Sequence, residues 1–114
     1  MSTNPDVQAH RVQGWSMWPT LAEGSTVVVL SAARCSAVGQ QWPPEVGAIV
    51  VARHPFRRGL AIVKRVAGVD AAGRFELRGD ASIESEDSGS LGSFELEALV
   101  GRVVGRMHAA VTVT

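Results

Sequence analysis

"LAIVKRVAGVDAAGRFELR", Leu60 to Arg78, is the stretch that decides the fold. Its Val-rich first half and its "RFELR" second half flank Asp70 to Gly73, a tip of turn-forming residues, so the segment reads as a β-hairpin. Side chains alternate along a strand. Ile62, Lys64 and Val66 therefore share one face, and Ala61, Val63 and Arg65 the other. A lysine between Ile and Val on an apolar face is costly unless it has a task.

Outward from the hairpin, the same grammar repeats. "TVVVL" (Thr26 to Leu30) follows the turn-like "EGS", and "GAIVVAR" (Gly47 to Arg53) follows "WPPEVG". "LVGRVVGRM" and "AVTVT" close the chain. Short β-branched runs with Gly/Pro punctuation predict strands. The fold class is mostly β: small antiparallel sheets or an open barrel, with at most short helical turns. "SFELEALV" (Ser93 to Val100) is where a helical turn is expected, with Ser93 as its N-cap. Residues 31–46 and 80–93 are without periodicity and read as loops. Residues 1–10 are expected to be a flexible N-terminus and residues 11–114 a single domain.

Composition narrows the function. The 114 residues have a formal net charge of zero, so no basic surplus points to nucleic acid. Cys35 is the single cysteine, which leaves no internal disulfide and no thiol pair. His10, His54 and His108 are scattered without metal-ligand spacing, and no cofactor motif is present. His54, in "RHPF" at a strand end, reads as a surface or turn residue. No apolar run approaches the about 20 residues of a membrane span, and no signal peptide opens the chain. The expected location is the cytoplasm.

Two features remain for chemistry. The chain has ten arginines and one lysine, Lys64. An arginine stays charged in proteins, whereas a lysine amine can be driven neutral and act as a base. The other feature is "GWSMWPTL", Gly14 to Leu21, where two of the three tryptophans flank Ser16. A serine hydroxyl is a weak nucleophile and needs a neighbouring base. A lysine serves only if its pKa falls from about 10.4 toward neutrality, a shift that burial among apolar side chains can supply. Ser16 and Lys64 are the economical pair.

These segments resemble the type I signal peptidase family. "GWSMWPT" is similar to its nucleophile box, G-x-S-M-x-P-T, and "VKRVAG" to its lysine box. "GDASIESEDSG" resembles its third box, and "VGAIVV" a strand usually written G-D-I-V, with Ala48 in place of the acid. The resemblance covers about residues 12 to 90, in the family's order. It implies a protease with the family's β-rich catalytic core, an arrangement shared with LexA-type domains, and no metal or cofactor. Ser16 would be the nucleophile and Lys64 the general base. Ser85 would orient the Lys64 amine, and Asp87 would pair with Arg65. Gly14, Trp15, Met17, Trp18 and Pro19 would form the turn, the oxyanion region and the substrate groove around Ser16.

Departures are also visible. Ala81 stands where the family often has Asn, and Gly89 where it often has Arg. Most members carry a membrane helix before the serine box; here fifteen polar-leaning residues precede it. Only fourteen residues separate Lys64 from Gly79, where many members carry a large insertion. Such a stripped core suits a cytoplasmic precursor or leader peptide as substrate. "ARHPF…VKRV" resembles the soluble subgroup that matures nickel-containing superoxide dismutase, in which nickel belongs to the substrate. Two rivals remain open. A LexA-like domain would cut its own chain before the serine, but the Ala-Gly pairs, 67–68 and 72–73, both follow Ser16. A non-catalytic peptide-binding β module would use Trp15, Met17 and Trp18 as a docking patch.

Overall fold

A computed structural model describes residues 6–81 and 91–107. The strands run β1 (Val7–Arg11), β2 (Thr26–Leu30), β3 (Ile49–Arg53), β4 (Ala61–Val69), β5 (Phe75–Arg78) and β6 (Leu99–Met107). They form one antiparallel sheet in the order β1-β2-β6-β3-β4-β5, as the mostly β reading requires. The hairpin of β4 and β5 turns at Asp70, whose carboxylate accepts the backbone N–H groups of Ala72 and Arg74. That Asx-type closure is why the tip sits where it does.

Alternation sorts β3 between two clusters. Val50 and Ala52 join Val66, Phe75, Leu77, Phe94 and Leu99 on one face. Val51 joins Val12, Met17, Leu21, Val27 and Val29 on the other. Register shifts interrupt the ladders at Val28/Val29, Val51/Ala52 and Val66/Gly68. Irregularities of this kind bend and twist a sheet. Here the edges curl toward one another: the loop after β1 reaches the end of β5, where Ala81 N–H donates to Ser16 O at 2.9 Å.

Several expectations need correction. Residues 7–10 are not a loose arm, because β1 pairs with β2 from Val7↔Leu30 to Arg11↔Thr26. A six-residue helix, α1 (Ala32–Ala37), lies in the stretch read as loop. Ser31 caps it, its Oγ accepting Arg34 N–H, and Cys35 anchors it in the core. The expected turn near "SFELEALV" is a single 3-10 turn, Leu96–Ala98, begun by Glu95 without a side-chain cap. Ser93 does not cap it; its Oγ accepts Arg74 Nε–H at 2.8 Å. "AVTVT" lies outside the described residues.

Candidate active site

The segment from Gly14 to Leu21 is a chain of turns, not a strand. Gly14 starts it at φ +82°, a backbone region that side-chain-bearing residues avoid. Trp18 N–H bonds to Trp15 O at 3.0 Å, and Leu21 N–H to Met17 O at 2.7 Å. Met17 is fully buried and Leu21 nearly so, which pins the loop to the core. Met17 is therefore packing rather than groove. The irregular backbone overrides simple alternation: Trp15 and Trp18 both remain half exposed, edge to face with centroids 5.4 Å apart. A core position for both tryptophans is excluded.

Ser16 and Lys64 line one cavity of about 390 Å³. Its walls come from the end of β1 and the residues after it (His10, Val12, Gln13) and from β4 (Ile62, Val63). Lys64 is 4 % exposed, and it lies on the face of the sheet that carries Val50 and Val66. The lysine that stood out in sequence is thus buried beside the partly buried serine's cavity. Gly14, Trp15, Met17, Trp18 and Pro19 are not among the lining residues. Ser85 and Asp87 lie outside the described residues.

Arg65, on the opposite face of β4 from Lys64, ties the neighbourhood together. Its Nε and Nη2 donate to Asp80 at 2.8 and 2.7 Å, and its Nη1 donates to Gly47 O at 2.7 Å. Thr20 Oγ1 donates to the same Asp80 carboxylate at 2.6 Å. The hydrogen bonds from Arg65, with that from Thr20, hold the Asp80 carboxyl below the usual carboxylate range against the cost of burial. One carboxylate therefore joins the serine loop, the lysine strand and the end of β5. Gly79, just before it, approaches Ser16 so closely that a Cβ there would lie 2.6 Å from Ser16 O.

Sequence reading placed Gly79 and Asp80 in a box, gave Asp80 no partner and assigned Arg65 to Asp87; the Arg65 guanidinium is instead on Asp80. The signal was present in the Gly-Asp pair, and what was missing was the curl that brings it to Thr20. His54, read as a surface or turn residue, lies at a turn but not at the surface. It is buried, and its Nδ1 accepts the N–H groups of Phe56 and Arg57 at 3.1 and 3.0 Å. It organises the β3–β4 turn from within. Only its environment, not "RHPF" as a string, reveals this.

Among the described residues, no helix is long and apolar enough to cross a membrane. The family model described as signal peptidase, peptidase S26, matches residues 4–73, more than half of the chain and a span that includes Ser16 and Lys64. No curated protein matches it.

Proposed function

Because this chain belongs to the signal peptidase family, peptidase S26, a family of peptidases acting on protein substrates, we propose that it is a serine endopeptidase working through Ser16 and Lys64. The observation that carries the reading is that the serine and the single, buried lysine of the chain line the same cavity. Burial strips water from the Lys64 amine, and the neutral amine is the form that can take a proton.

In this reading Ser16 Oγ attacks the scissile carbonyl carbon while its proton passes to Lys64 Nζ. The Ser16 backbone N–H stabilises the oxyanion that forms. Collapse of the tetrahedral intermediate breaks the C–N bond, and the Lys64 ammonium returns the proton to the leaving amine. Water then attacks the acyl carbon while its proton passes to Lys64, and the ester C–Oγ bond breaks as Lys64 returns that proton to Ser16 Oγ. Ser85 would orient the Lys64 amine, and Asp87 would brace the third box. Trp15 and Trp18, either side of Ser16 in sequence, would shield the reacting groups from water.

The substrate we propose is the leader of a cytoplasmic precursor, with the nickel superoxide dismutase precursor as the specific candidate on the likeness of "ARHPF…VKRV". The test is mass spectrometry of leader peptides incubated with the protein, Ser16→Ala and Lys64→Arg. We expect cleavage by the parent only, with both variants folded and at least a thousandfold slower. Retained cleavage by Lys64→Arg would remove the Ser–Lys mechanism. A Ser16-dependent cut away from the new metal-binding N-terminus would keep the protease and discard the precursor.

A further inference from the structure

A second, larger cavity of about 830 Å³ lies beside the first. It opens between the β3–β4 turn and the segment around the 3-10 turn, and the two cavities share Leu60 and Ala61. Its size falls within the range of ligand sites. Leu60, Phe94 and Ala98 provide apolar surface, and Phe56 stands at the rim 75 % exposed. Three guanidinium groups, Arg53, Arg58 and Arg74, line it against the carboxylates of Glu95 and Glu97, with Arg57 next in sequence. Glu95 is paired with Arg74 at 3.1 Å, and Arg53 bonds to the backbone carbonyl of Glu97, which leaves its charge uncancelled by that contact.

The wall carrying Arg58 is built firmly. His54 N–H donates to Leu60 O at 2.8 Å, Leu60 N–H to Arg57 O at 3.2 Å, and the His54 ring receives two further backbone donors. Holding the turn in one shape lowers the ordering cost of binding. The spacing to the candidate active site is also suited to a peptide. A strand rises about 3.3 Å per residue, so Ala61 lies about 10 Å along β4 from Lys64, roughly three residues of extended chain.

We propose that this cavity is a second substrate subsite that holds an acidic segment of the precursor chain, several residues from the scissile bond, with Arg58 as its ion-pairing residue and Phe56 as its apolar rim. The proposal rests on the endopeptidase reading for its role, and on the shared wall and the arginine-rich lining for its place. A neutral or basic segment gains nothing from Arg58, so the subsite selects precursors by charge at a distance from the cut.

The experiment uses two fluorescein-labelled synthetic peptides with the same Ala-rich centre, one flanked by glutamates and the other by glutamines. Binding is read by anisotropy on the Ser16→Ala protein, and cleavage on the parent. We expect the glutamate peptide to bind about fivefold more tightly at low salt and to lose that advantage at high salt. Arg58→Lys keeps the preference, and Arg58→Glu reverses it. Equal binding of the two peptides, or a preference untouched by Arg58→Glu, overturns the subsite. Because binding is read without turnover, the two readings separate. Ser16-dependent cleavage of both peptides with no charge preference sinks the subsite alone. An Arg58-dependent preference with no cleavage under any condition sinks the endopeptidase and, with it, the subsite's role in cleavage.

Discussion

Gly79 has no room for a side chain, and its neighbour is the backbone of Ser16. A Cβ there would sit 2.6 Å from Ser16 O and 3.3 Å from Ser16 Cβ, and a backbone oxygen cannot swing away as a flexible side chain can. Ala81 N–H meanwhile bonds to that same oxygen. Gly79→Ala must therefore displace Ser16 or break the bond. We expect a stability loss of about 1–3 kcal/mol from overpacking, with peptidase activity falling tenfold or more because Ser16, the proposed nucleophile, is misplaced. Urea midpoints and kcat/KM measured on the same preparation would check it, and unchanged activity would show that Ser16 is not held by this contact. At this scale the sequence was informative where alternation decides. Lys64 sits where the Ile62–Val66 face puts it, and its burial follows. It was silent where the partner comes from elsewhere in the chain. Asp80 is fifteen residues from Arg65 and sixty from Thr20, and only the folded sheet makes them one cluster.

Among the elements, β6 is the seam. It pairs with β2 on one side and β3 on the other, joining strands far apart in sequence. Gly101 makes the β2 side possible: a Cβ there would fall 2.3 Å from Leu30 O and 2.8 Å from Val29 Cγ1. Gly101→Ala should cost about 2–3 kcal/mol, seen as a lower urea midpoint with an unchanged slope. A variant as stable as the parent would mean that β2 and β6 separate freely at this point. Next to it, Arg102 on β6 grips Glu45 with two hydrogen bonds of 2.5 and 2.9 Å, fixing the approach to β3. The strands were legible because β-branched runs bounded by Gly and Pro have few other uses. The helix α1 was not, because six residues complete fewer than two turns and show no full period. Its one local sign, Ser31, is equally common in loops. β1 was hidden for a different reason: "VQAHR" is polar, and its pairing comes from lying against "TVVVL" rather than from its own propensity.

At the scale of the molecule, the curl of the sheet is what brings Ser16, from the loop after β1, to the region of β4 and β5. Alternating patterns predict strands, but not which edge folds over which, so the fold class was readable and the closure was not. The contacts that hold the closure include the Asp80 carboxylate, and this gives the site a predictable response to acid. Asp80 is ionised in the folded protein and held below its ordinary value of 3.8, mainly by Arg65. Glu45 is pushed down from 4.5 to about 2, mainly by its hydrogen bonds from Arg102. In the unfolded chain both carboxylates bind protons near their ordinary values, so below about pH 5 the unfolded state takes up protons first and stability falls. The contribution of each is fully present above that range and is lost as pH drops through the depressed value in the fold. Arg65 is about one-third exposed, so the Asp80 pair contributes about 1 kcal/mol rather than the strength of a dry ion pair. Urea unfolding of the parent, Asp80→Asn and Glu45→Gln at pH 7 and at successively lower pH separates the two. Each variant should be less stable at pH 7 and lose less between pH 5 and 3 than the parent. Asp80→Asn alone should also lower peptidase activity at neutral pH, because only that carboxylate touches the Ser16 loop through Thr20. Equal loss of activity in Glu45→Gln would mean that the site depends on the sheet as a whole and not on the Thr20–Asp80–Arg65 clasp.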